Sequence, residues 1–154
     1  MKIFDILILP NISITPDDKD EFEDDPDAYI RNDLEESDTE TRRRHCMKFV
    51  QQLSKKFSNE VSELIGSHVN NLLAEYNQNR DQNWPKKVTL LNLLITASIQ
   101  HYNFKNGATD ILIDEQTLFN YIQTLVLPEL QEQQIDNLPI LKATCLKFVY
   151  MFRN

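Results

Sequence analysis

Two glycines in 154 residues leave this chain little with which to build a sheet-rich fold. Hairpins, bulges and phosphate-cradling loops draw on glycine because a residue without Cβ adopts positive φ and close backbone approaches at low cost. Gly66 and Gly107 are the whole supply. The chain is nonetheless built to bury a core. Its residues are 41% hydrophobic and include eight Phe, five Tyr and one Trp, which excludes disordered and low-complexity readings. The expectation is a helical fold of about one domain's length.

The apolar spacing supports it. Cys46, Val50, Leu53 and Phe57 recur at i, i+4, i+7 and i+11, which predicts a helix over 38–58. Ser37 and Glu40 have capping-box spacing at its start. Val61, Ile65, His68, Leu72 and Tyr76 repeat the pattern over 60–78. The polar loop NQNRDQNWP follows, with Trp84 before Pro85 reading as a staple onto a third helix over 86–103. That helix is apolar on nearly every side and requires cover all round. Lys105-Asn106-Gly107 stops it. A fourth helix is expected over 114–127, interrupted by Pro128, and a fifth over 138–152. At the start, residues 2–9 read as the tail of a helix that Pro10 ends.

These spacings describe an all-α chain of antiparallel helix pairs, 38–80 and 84–130, followed at 138–154 by the first helix of another pair. Units of that length match HEAT-type repeats. Capped solenoids end in polar faces, whereas both ends here are apolar. The expectation is a piece of a longer HEAT-repeat α-solenoid, with residues 1–10 closing a preceding repeat.

Charge is unevenly distributed. The net charge is −8, but residues 1–40 hold fourteen of the 24 acidic side chains and three of the 16 basic ones. That stretch is −11, and the remaining 114 residues are +3. Residues 11–37 read as an acidic linker or insertion, kept extended or weakly structured over 11–28 by carboxylate repulsion. Phe22 is its anchor, and a short helix starts at Pro26 and runs through Tyr29, Ile30 and Leu34. The net charge of −8 argues against a nucleic-acid binder, whose footprint is basic. No apolar run reaches the roughly 18 residues of a membrane span. Cys46 and Cys145 lie in apolar runs and read as reduced, buried thiols.

The string DEFEDDPDAYIRNDLEESDTETRRR at 20–44 resembles the importin-β superfamily of nuclear transport receptors, in particular the branch that returns importin-α to the cytoplasm. Leu9-Pro10-Asn11, Asn83-Trp84, Leu127-Pro128-Glu129-Leu130 and the closing LKATCLKFVYMFRN extend the resemblance end to end. Asn32 and Glu36 depart from the expected Arg and Gly. The resemblance implies a segment near the middle of a superhelix of HEAT repeats that binds Ran-GTP and importin-α and shuttles between nucleus and cytoplasm, with nuclear pore contacts. It implies no enzyme and no cofactor. The other reading is a free-standing helical scaffold with an acidic tail.

Candidate binding residues are the carboxylates Asp17, Asp18, Asp20, Glu21, Glu23, Asp24, Asp25 and Asp27, suited to the basic surfaces of Ran and importin-α. Calcium is disfavoured, since the run has none of the glycine an EF-hand loop requires. Arg42, Arg43 and Arg44 are expected to pair with those carboxylates as a latch, or to meet an acidic patch on a partner. His45 lies off the helix stripe that carries Cys46, so the two do not form a ligand pair. His68 reads as a core histidine, and His101 and Tyr102 as packing residues. Catalytic fingerprints are absent.

Overall fold

The computed structural model describes residues 2–34, 41–103, 105–133 and 137–154. The chain begins with a π-helical turn at Phe4–Ile8 that runs into α1 (Leu9–Ile12). It continues through α2 (Pro16–Asp24), α3 (Pro26–Leu34), α4 (Arg42–Lys56), α5 (Ser58–Gln78) and α6 (Arg80–Ser98). A hairpin follows, β1 (Ile99–Asn103) and β2 (Gly107–Ile111). Then come α7 (Glu115–Tyr121), a π-helical turn at Ile122–Val126, α8 (Leu127–Leu130) and α9 (Pro139–Met151).

The single residue Phe57 separates α4 from α5, and Asn79 alone separates α5 from α6. α5 packs along α6, and α6 also meets α1, α4 and α9. This explains the all-round apolar character of α6. Leu90, Leu91 and Leu93 are wholly buried, and Val88 and Ile95 are nearly so.

Several helix boundaries differ from expectation. The Ser37–Glu40 capping box lies outside the described residues, and α4 is capped by Thr41, whose hydroxyl accepts the Arg44 N–H at 3.2 Å. The polar loop before Trp84 is helical. Asn79 accepts the Gln82 N–H at 3.2 Å and starts α6 at Arg80, so Trp84 and Pro85 lie inside it. Pro10 and Pro128 do not break their helices. Ahead of each, a π turn bonds the preceding leucine N–H five residues back, Leu9 to Phe4 O and Leu127 to Ile122 O. The widened turn accommodates a residue that lacks a donor and crowds the carbonyl behind it.

Two further differences are local and leave the all-α class in place. The acidic run is helical over residues 16–24, where an extended or weakly structured linker was expected, and the expected helix from Pro26 to Leu34 is present. Its first helix has a full capping box: Asp18 N–H donates to Thr15 Oγ1 at 3.3 Å, and Thr15 N–H donates to Asp18 Oδ2 at 2.7 Å. Asp17 and Asp18 also sit in the first turn, where the helix dipole favours negative charge. The expected helix over 86–103 ends at Ser98, and an antiparallel hairpin interrupts the otherwise helical chain. Its turn uses Gly107 at φ +84°, with Asn106 N–H donating to Asn103 O at 3.1 Å. β-branched and aromatic residues in the flanking strands favour the pleat.

Candidate functional site

Among the described residues, Asp18 is the acidic candidate that pairs with Arg42 and Arg43. Its Oδ2 accepts from the Thr15 backbone N–H at 2.7 Å, the Thr15 hydroxyl at 2.6 Å and Arg42 Nη2 at 3.2 Å. Its Oδ1 accepts from Arg43 Nη2 at 3.0 Å. Arg42 Nη1 also donates to Pro10 O at 3.1 Å, and Arg43 Nε to Ile12 O at 3.3 Å. Arg44 turns elsewhere and donates from Nη2 to Asn32 O at 3.0 Å. The triplet therefore grips three segments, α1, α2 and α3, from the start of α4.

A second carboxylate, absent from the sequence candidates, completes the clamp. Asp33 on α3 accepts from Arg43 Nη1 at 3.4 Å and from Lys147 Nζ of α9 at 2.8 Å. Lys147 Nζ also reaches Asn92 Oδ1 on α6 at 3.4 Å. Burial alone would raise the Asp33 carboxyl, but the charges of Lys147 and Arg43 and their hydrogen bonds outweigh it and hold its pKa below the ordinary value. Arg43, 7% exposed, is held charged by Asp33, Tyr29 and Asp18 against the penalty of its burial. Lys147 is 5% exposed. Such pairs contribute little net stability over an apolar core, but removing one partner costs about 3–5 kcal/mol by stranding the other.

The other seven carboxylates, Asp17, Asp20, Glu21, Glu23, Asp24, Asp25 and Asp27, are exposed and form no ion pair among the described residues. Asp17, Asp20, Glu21 and Asp24 follow helical spacing and make one acidic face of α2. Phe22 packs edge-on against Tyr29 with ring centroids 5.4 Å apart, fastening α2 to α3. Lys19 lies 5.0 Å over the Trp84 ring, so Trp84 serves α2 from within α6.

A separate buried cluster links the α5–α6 pair to α8. The Tyr76 hydroxyl donates to Glu129 Oε1 at 2.8 Å, and Lys87 Nζ lies 3.6 Å from the same oxygen and 5.0 Å over the Tyr76 ring. Burial pushes Lys87 down and Tyr76 up from their ordinary values, and pushes the Cys145 thiol up to about 12. Both cysteines are buried free thiols. His68 stacks on Phe4 at 5.4 Å and lies 3.8 Å from Asp5. Among the described residues, no cluster of His, Cys, Asp and Glu suits a metal ion and no helix is long and apolar enough to cross a membrane.

The residues missed in the sequence, Asp33, Lys147, Lys87 and Glu129, had one available signal. Lys87 and Lys147 adjoin core residues in helical runs that also carry Lys86 and Lys142, and a lysine at such a position requires a buried partner. Their partners are distant in sequence, and spacing cannot name them.

Stacked helices with charged clamps between them describe an all-α, helical-repeat fold. The whole chain, residues 1–154, matches the Cse1 family. It is 36% identical to exportin-2 of Dictyostelium discoideum and 34% identical to that of Drosophila melanogaster, in each case over 99% of this chain and 16% of the relative. Human exportin-2 is 33% identical over 96% of this chain and 15% of the relative. A solved structure of the exportin Cse1 in its cargo-free, cytoplasmic state superposes with a TM-score of 0.91 at 31% identity, covering 99% of this chain and 16% of that one. The chain belongs to the exportin-2/Cse1 family of nuclear export receptors, within the importin-β superfamily, and that family is not one of enzymes. It spans 16% of the length of the curated relatives given first.

Proposed function

We propose that this chain is a segment of a nuclear export receptor that binds Ran-GTP and importin-α together and returns importin-α to the cytoplasm, shuttling between the two compartments. Its own contribution is the acidic face of α2, which meets a basic surface of Ran. One observation carries this reading. Asp17, Asp20, Glu21 and Asp24 stand exposed without cationic partners among the described residues, while Asp18 and Asp33 are tied down to hold the helix pair in place. Carboxylates left free on a fixed support are arranged for a partner's cations. They act chiefly on the rate and selectivity of encounter.

The test is capture of importin-α with and without GTP-loaded Ran, by this chain and by a full-length exportin-2 carrying it. Asp17, Asp20, Glu21 and Asp24 are changed to Lys, and Asp18 is spared so that the clamp survives. The expected result is weaker Ran-GTP binding at low salt, with the deficit shrinking as salt rises and screens the charges. Unchanged Ran affinity at low salt would remove the acidic face from the interface. A receptor that captures neither partner would remove the export reading.

A further inference from the structure

The first half of α4 and the second half of α9 border a cavity of about 400 Å3, whose wall is completed by the end of α3, by α6 and by β1. Among the described residues it is lined by four cations, Arg43, Arg44 and Lys48 from α4 and Lys147 from α9, and by one carboxylate, Asp33. In a chain of net charge −8 this is a local excess of positive charge. The two deep cations, Arg43 and Lys147, are 7% and 5% exposed and hold Asp33 between them. Lys147 Nζ carries three N–H groups, and Asp33 and Asn92 accept two of them, at 2.8 and 3.4 Å. A buried ammonium gains from an acceptor for the third, since a charged donor removed from water is costly to leave unfilled. Arg44 is half-buried and Lys48 exposed, and their spacing of four residues puts them on one face of α4.

The rest of the wall is different in kind. Met47, Ile99 and Met151 line it, and thioether side chains adapt to varied apolar shapes. An apolar wall with a few convergent charged groups, at this volume, is the make-up of a small-molecule site. A bare oxyanion would meet the cations and leave the apolar wall without contact. An apolar molecule would leave the third Lys147 N–H without an acceptor.

We propose that this cavity is a binding site for a small phosphate monoester with an apolar body, its oxyanion received by Lys147, Arg44 and Lys48 and its body packed against Met47, Ile99 and Met151. Ammonium and guanidinium groups are the usual receivers of phosphoryl oxygens. Asp33 opposes an anion, but the two cations it bonds offset its charge. The site does not rest on the receptor reading above and makes no use of the acidic face of α2.

Titration of this chain with phenyl phosphate, inorganic phosphate and phenol tests the site, followed by calorimetry and by the methyl resonances of Met47 and Met151. Phenyl phosphate is expected to bind at least about tenfold more tightly than either fragment and to shift both methyls. Lys48→Glu is expected to weaken it at least about fivefold. Lys55→Glu makes the same charge change on α4 at a residue outside the lining, about a Debye length along the helix, and should alter binding by less than about twofold. Inorganic phosphate bound as tightly as the ester overturns the monoester assignment, and phenol bound as tightly overturns the role of the cations. Absence of binding, binding that leaves both methyls unmoved, or equal losses in Lys48→Glu and Lys55→Glu overturns the site itself.

Discussion

The two glycines make opposite predictions. Gly66 lies exposed within α5, and a Cβ there would meet nothing within 4 Å. Gly66→Ala is expected to stabilise the chain by about 1 kcal/mol, the helix-propensity difference, read from urea unfolding. Gly107 adopts φ +84°, and a Cβ would come 2.9 Å from Met151 O. Gly107→Ala is expected to cost at least about 1–2 kcal/mol from the left-handed backbone alone. Asp33 makes a pH prediction. Its carboxyl pKa is lowered in the fold because Lys147 and Arg43 overcome the effect of burial. The stability it contributes is therefore fully present above the unfolded value of about 3.9 and is lost as pH falls through the lower folded value. The stability gap between the native chain and Asp33→Asn should stay level from pH 7 to about 5 and close below about pH 4. Chemical denaturation at stepped pH measures it.

At the scale of elements, local chemistry decides the capped helices and tertiary context decides the exceptions. α2 contains seven charged residues and no buried side chain, so its helicity depends on Thr15, Asp18 and the packing of Phe22. Thr15→Ala is expected to cost about 1 kcal/mol for the lost cap and to loosen residues 16–24 first, since it also removes a hydroxyl bond to the carboxylate that the arginines hold. Amide exchange resolved by segment reads both. The helices through Pro10 and Pro128 show the same accommodation twice, a π turn followed by Leu-Pro. Proline alone predicted a break at both positions. The bonding five residues back is a property of the folded helix that no spacing announces. In β1, Ile99 and Tyr102 are the apolar residues among Ile99 to Asn103, and so short and mixed a segment cannot by itself separate strand from helix. Pairing with β2 through the Gly107 turn separates them.

At the scale of the molecule, α6 is the shared support. Leu90 and Leu93 are wholly buried within it, and replacing either with Ala is expected to cost about 2–5 kcal/mol without altering the exposed acidic face. Calorimetry measures the cost. The outer faces remain apolar in places: Ile6 is 72% exposed on the first helical turn and Leu146 is 59% exposed on α9. Exposed apolar patches mark surfaces that pack against something. Ile6→Glu and Leu146→Glu are expected to reduce hydrophobic-dye binding and self-association of the chain alone, followed by sedimentation equilibrium.

Helix α2 and the β1–β2 hairpin were not legible in the sequence, but the helices α3, α4, α5, α7 and α9, the burial of α6 beyond Lys86, the concentration of acidic charge in the first 40 residues and the family signature within 20–44 were. Each depends on neighbours three or four residues apart or on local composition, and such information is written in order along the chain. The partners of the charges were not legible. Arg42 and Arg43 were expected to meet the acidic run, but the selection of Asp18, the recruitment of Asp33 and the bridge from Asp33 to Lys147 follow from how the helices stack. Electrostatic pairing depends on distance and burial in space, and only the tertiary structure brings residues 33 and 147 within 2.8 Å of one another.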